Sequence, residues 1–156
     1  MTALGAFKFI CCLLGVAISL YALHVEHEHE KDSNYEALCD IGPQASCSQV
    51  LTSRYGRGLG FIGPLLGEDH PLNVSNALGG IIFYTTLILL GFFDMVWLSF
   101  IVALVGTATS IYLSYILVFV LSDLCLVCLC IYIVNSAILA ACYVSLRRRN
   151  VKSHSE

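Results

Sequence analysis

The sequence predicts an all-α integral membrane protein: a bundle of four transmembrane helices with a luminal cap loop. Three observations predict it. Hydrophobic residues make up 58% of the chain and charged residues only 12%, against about a quarter charged in soluble domains. Four apolar runs punctuate the 156 residues, with a mean hydropathy of +0.81. Cations gather directly after the last run, at Arg147, Arg148, Arg149 and Lys152. Residues 1–156 therefore read as a single membrane domain. No long basic stretch suggests nucleic acid as a partner.

A spanning helix needs roughly 20 apolar residues, with limits of about 17 and 25. The first span is expected at residues 8–24. It is short, but Lys8 and His24 can snorkel and extend it. A cleaved leader would need a small-x-small site near Ala22, and Leu20 breaks that pattern. Residues 25–76 are hydrophilic and form the expected cap. The second span, 77–93, sits at the short limit. The third, 96–121, is ample. The fourth, 124–146, fits well.

Cations near membrane ends mark the cytosolic side. The arginines after the fourth run place the C-terminus there. Four spans then return the N-terminus to the same side, beside Lys8. The 25–76 cap is luminal, the tight connection near Asp94 is cytosolic, and the connection at Ser122 and Asp123 is luminal.

This topology gathers four cysteines on one face. Cys39 and Cys47 lie in the cap, and Cys125 and Cys128 at the luminal mouth of the fourth span. That compartment is oxidising, so disulfides can form there. Cys11, Cys12 and Cys142 fall within spans and read as small apolar filler. Cys130 reads the same way, because its two-residue offset turns it off the face shared by Cys125 and Cys128.

The stretch "DLCLVCLCIY", residues 123 to 132, carries the chemistry. Residues three apart on a helix share a face, within reach of disulfide geometry. The first helical turn offers unpaired N–H groups and the positive dipole end, both of which stabilise a thiolate. Asp123 is expected to cap the helix. Cys125 and Cys128 thus have the makings of a redox couple; a structural disulfide is the alternative. Tyr132 lies one turn beyond Cys128 on the same face. Its hydroxyl could hold and polarise a carbonyl during thiolate attack.

No metal site is expected. Zinc wants four ligands at recurring spacings, and His24, His27 and His29 match none of them. A c-type haem needs histidine directly after the second cysteine, where Leu129 stands. "SRYGRGLGFIG" is glycine-rich, but no Gly-Lys-Ser/Thr follows, so it reads as an irregular segment on the membrane surface. "NVS" at Asn73 to Ser75 matches a glycosylation sequon, close to the membrane where modifying enzymes reach poorly.

"ALHV", "ALCD", "SCS", "SRYGRGLG", "LNVSN", "IFY" and "CLVC…Y" occur in this order, over nearly the whole chain. The ordered set resembles the vitamin K epoxide reductase family. The resemblance implies a four-helix bundle in the endoplasmic reticulum membrane, with the cap over a quinone pocket. Residence there rests on the resemblance, because "VKSHSE" carries no obvious retrieval signal. By residue matching, Cys125 and Cys128 are the active-site pair and Cys39 and Cys47 the shuttle pair. The implied disulfides are Cys39–Cys47, Cys125–Cys128 and a transient Cys47–Cys125. Asn76 and Tyr132 match the residues that hydrogen-bond the substrate's oxygens. Phe83, Leu51, Leu113 and Leu117 match positions around the ring and isoprenoid chain. Tyr55 stands where the family usually has tryptophan.

The implied activity reduces vitamin K epoxide and quinone with electrons from the dithiol and with no permanently bound cofactor. A thioredoxin-like luminal oxidoreductase would recharge the shuttle, and coumarin-type compounds such as warfarin would inhibit. Two rivals remain. One is a quinone-linked thiol oxidase that forms disulfides in secreted proteins. The other is a structural four-span protein whose disulfides only brace the loop.

Overall fold

The computed structural model describes residues 3–40, 42, 45–60, 62–67, 70 and 73–154. Its frame is four long helices: α1 (Ala3–Lys31), α4 (Asn76–Phe92), α5 (Val96–Ile116) and α6 (Leu126–His154). Two short helices, α2 (Cys47–Thr52) and α3 (Ile62–Leu66), lie between α1 and α4. No strand occurs among the described residues, only isolated bridges from Gly42 to Ala45 and from Arg57 to Ser75. Pro43, half of the Gly-Pro turn signal between Cys39 and Cys47, lies outside the described residues.

Helix α1 departs from expectation. It runs to Lys31, seven residues beyond the expected span end, so residues 25–31 of the expected cap are helical. Hydropathy reports where the membrane ends, not where the helix ends. "HVEHEHEK" holds no proline or glycine to stop helical propagation. Ala22, Val25 and Glu26 continue one buried face at helical spacing. Lys31 bonds Glu28 one turn back at 2.8 Å, and His29 and Lys31 suit the negative dipole end. Asp32 then turns the chain, accepting from the Asn34 N–H at 2.9 Å.

The other boundaries follow local chemistry. Ser75 caps α4 by accepting from the Ala77 N–H at 3.0 Å, so Asn76 is the first residue of the helix rather than a loop residue ahead of it. The α4–α5 turn closes on Asp94 in the left-handed region, φ 52°. Arg149 of α6 staples that turn, donating to the Asp94 carbonyl at 2.9 Å. Helix α5 ends in a π turn over Leu117–Leu121, and Ser122, φ 53°, reverses the chain. Helix α6 begins at Leu126, two residues later than expected, and runs eight past Leu146.

Helix α1 packs on α4 and α6, and α5 packs on α6 and α4. Close approach requires glycine at Gly15, where a Cβ would fall 2.5 Å from the Tyr84 ring. One apolar cluster joins Val25, Cys47, Leu51, Ala77, Leu117 and Cys125. A second joins Cys11, Cys12, Tyr84, Ala103, Ile138 and Cys142. The expected filler cysteines of the spans are thus core residues of this second cluster. Ala3–Lys31, Val96–Leu121 and Leu126–Val151 are long and apolar enough to cross a membrane, and Asn76–Phe92 is a shorter apolar helix.

Candidate redox site

An apolar cavity of about 400 Å³ opens between α4, α5, α6 and the 32–75 segment. Helix α4 supplies Asn76 and Phe83, α5 supplies Leu113, and the π turn supplies Leu117. Helix α6 supplies Cys128 and Tyr132, and the 32–75 segment adds Leu51 and Tyr55. Phe83 reaches the cavity because its partner on α5 is Gly106, where a Cβ would lie 2.3 Å from the ring. Cys39, Cys47 and Cys125 do not line the cavity. They are buried beside it, in the cluster against which Cys128 and Tyr132 pack.

Cys125 stands one residue ahead of α6 and serves as its cap. Its carbonyl accepts from the Leu129 N–H at 3.0 Å, and its sulfur accepts from the Cys128 N–H at 3.3 Å. Asp123 does not cap the helix, contrary to expectation. Its carboxylate accepts from the Leu124 N–H at 3.1 Å and the Ser46 N–H at 3.4 Å. The sulfur two residues on already occupies the capping position.

Cys125 and Cys128 carry free thiols here. The Cys128 side chain hydrogen-bonds Cys125 and is the main cause of its lowered pKa. Burial opposes this, and the N–H groups of Cys128 and Val127 assist it. The thiolate of Cys125 therefore forms at lower pH than an ordinary thiol's. Replacing Cys128 by alanine removes the principal cause, so its titration should move up in pH. Ultraviolet thiolate absorbance, taken as the difference from Cys125→Ser, measures this; an unmoved midpoint would refute the assigned cause.

Cys39 and Cys47 form a disulfide with Cα atoms 5.9 Å apart. Asp40 shapes the intervening loop. It accepts from the Ser48 hydroxyl at 2.6 Å, the Ser48 N–H at 3.1 Å, the Ser46 hydroxyl at 3.1 Å and the Ala37 N–H at 2.8 Å. Burial alone would raise its pKa, but these donors outweigh it and hold the carboxyl low. Ligand atoms of Cys39, Asp40 and Cys47 lie within 4.8 Å of one another, yet the two sulfurs are bonded together rather than offered to a cation. The Ser46–Asp123 bond ties the residue before Cys47 to the strap before Cys125.

Asn76 holds the 32–75 segment down. Its Nδ2 donates to the Tyr55 carbonyl at 2.7 Å, and its Oδ1 accepts from the Leu59 N–H at 3.0 Å. The same side chain borders the cavity. The sequon's Asn73 is half-buried, close to Gly58, and its Ser75 is buried as the α4 cap.

Sequence reasoning missed a polar wall. The Tyr84 hydroxyl donates to Asn135 Oδ1 at 2.8 Å, and Asn135 Nδ2 donates to the Ser110 hydroxyl at 2.7 Å. All three border the cavity. The available signal was an asparagine inside an apolar run, one turn past Tyr132. Asn135→Leu strips both partners at once and should cost about 1–3 kcal/mol for the donor left unpaired. Thermal unfolding in detergent measures the loss, and a variant as stable as the parent would dismiss the network.

The sequence profile of the Vitamin K epoxide reductase family matches residues 7–143. The chain is 42% identical over 153 residues to "Vitamin K epoxide reductase complex subunit 1" of Mus musculus, covering 96% of this chain and 95% of that one. It is 42% identical over 151 residues to the protein of the same name from Rattus norvegicus, covering 95% and 94%. With the cavity, the cysteines and the matched length together, the chain belongs to the vitamin K epoxide reductase family.

Proposed function

We propose that this membrane oxidoreductase reduces vitamin K epoxide to the quinone, and the quinone to the hydroquinone, in the endoplasmic reticulum membrane. The observation that carries this reading is the cavity wall. Cys128 and Tyr132 line it one helical turn apart, so a nucleophile and a hydrogen-bond donor face the same apolar space. In this reading Cys125, buried beside the cavity, resolves rather than attacks.

The cycle balances in thiols. The Cys125 thiolate takes the Cys128 proton through the hydrogen bond between them. Cys128 attacks an epoxide carbon, the carbon–oxygen bond breaks, and the oxygen is protonated. Cys125, deprotonated again, attacks the Cys128 sulfur. The carbon–sulfur bond breaks, and hydroxide leaves as water. Epoxide and dithiol become quinone, water and a Cys125–Cys128 disulfide. Tyr132 and Asn76 hold the substrate's oxygens, while Phe83, Leu51, Leu113 and Leu117 pack its ring and chain. Asn76 still has an amide hydrogen beyond the one given to Tyr55.

Cys47 then attacks Cys125 through a mixed disulfide. The resulting Cys39–Cys47 bond is reduced by a thioredoxin-like luminal partner. This requires four spans with both termini cytosolic and residues 32–75 as the luminal cap. Helix α4, at 17 residues, rises about 26 Å, somewhat less than a hydrocarbon core of about 30 Å. Exposed Phe92, Phe93 and Trp97 at its far end suit the interfacial zone and absorb the mismatch.

The test is epoxide turnover by the purified protein with a small dithiol, with and without a coumarin such as warfarin. Epoxide-dependent oxidation of the dithiol, blocked by the coumarin, is the expected result. Quinone reduction without epoxide opening would favour a thiol oxidase instead.

A further inference from the structure

A second cavity, of about 710 Å³, lies at the far end of the bundle from the Cys128 site. Its walls include Phe9, Leu87 and Ile138, and the buried thiols of Cys12 and Cys142. Its rim is cationic: Lys8 comes from α1, and Arg148 and Arg149 from α6. Arg149 is already committed to Asp94, the rim's acid, with its guanidinium 3.5 Å from the carboxylate. Lys8 and Arg148 have no ion-pair partner among the described residues. Lys8 is only half-exposed and lines the cavity itself.

We propose that this cavity holds one membrane phospholipid with an anionic head group. Its phosphate sits between Lys8 and Arg148, and one acyl chain lies against Phe9, Leu87 and Ile138. Charge and polarity choose this occupant. A free phosphate would pair the cations and leave the apolar walls uncovered. A zwitterionic lipid would cover the walls but bring its own cation to a rim that already holds two unpaired ones. Basic pockets between membrane helices suit anionic head groups for this reason. The orientation proposed above puts this end in the cytosolic leaflet, where such lipids concentrate. The fit of the site itself does not depend on that orientation.

The experiment uses the full chain purified in neutral detergent. Native mass spectrometry and thermal unfolding are followed with phosphatidylinositol, with phosphatidylcholine and with inorganic phosphate. Phosphatidylinositol is expected to bind one per chain and to raise the unfolding temperature; the other two should do neither. Each cation near a lipid surface contributes about fivefold, so the double variant Lys8→Gln/Arg148→Gln should weaken binding about 25-fold. Arg147→Gln removes a neighbouring cation that does not line the cavity and should leave affinity unchanged. Cys142→Phe keeps every cation, fills the cavity, and should lose the lipid; it also serves if the double variant does not fold. Equal binding of phosphatidylcholine, equal stabilisation by phosphate alone, or an Arg147→Gln loss matching the double variant's would each overturn the proposal. Epoxide turnover measured on the same samples separates this outcome from the proposed enzymatic function.

Discussion

Cys128→Ala is expected to abolish epoxide reduction with every electron donor. Cys128 is the one cysteine that borders the Tyr132 cavity among the described residues. Its neighbour Cys125 is fully buried and cannot reach a substrate seated there without unwinding the start of α6. No other thiol can substitute, so the loss should be on the order of 10⁴-fold or more, the scale seen when a catalytic nucleophile is removed. The measurement is turnover of vitamin K epoxide in membranes supplied with dithiothreitol. Cys130→Ala, two residues away and off the cavity, is the control and should remain active. Full turnover by Cys128→Ala would mean the nucleophile is misassigned.

Cys39→Ala should trap the relay midway. Cys47 would still attack the Cys125 sulfur, expelling the Cys128 thiolate. With no Cys39 to resolve it, the Cys47–Cys125 bond would persist. The hydrogen bond from Ser46 to Asp123 keeps the two partners adjacent. Peptide mapping without reduction should find the cross-link, and turnover driven by a protein reductant should fail. Cys47→Ala cannot form that link and should retain activity with dithiothreitol, which attacks the Cys125–Cys128 disulfide directly. Either substitution also opens a disulfide that contributes about 2–3 kcal/mol by the chain-entropy argument for so short a loop. Comparing the two variants cancels that common loss of stability. Absence of the Cys47–Cys125 peptide in Cys39→Ala, with the protein folded, would remove the relay.

The long helices were legible because an apolar run of this length suits little besides a membrane span. The extension of α1 was not, because its last turns are held by the burial of Val25 and Glu26 against the 32–75 segment and α4, which no local pattern reports. Cys128 and Tyr132 could be placed together from one-turn spacing alone. Phe83 and the leucines came only through family resemblance. Their convergence depends on Gly106 admitting the Phe83 ring and on the π turn carrying Leu117, both tertiary facts. The grip of Asn76 on the 32–75 segment was hidden because its partners are backbone atoms of Tyr55 and Leu59, far along the chain and anonymous in sequence. Asn135 was visible as an oddity but had no visible partner, since Tyr84 and Ser110 lie on two other helices.

In the proposed cycle the electron reservoir and the beginning of α6 are the same atoms, because the sulfur of Cys125 accepts from the Cys128 backbone N–H. A thiolate is a strong acceptor, and a disulfide sulfur a weak one. Each turnover of that cycle should therefore slacken and retighten the first turn of a helix, and amide hydrogen exchange at Val127 and Cys128 should gauge how many electrons the protein holds.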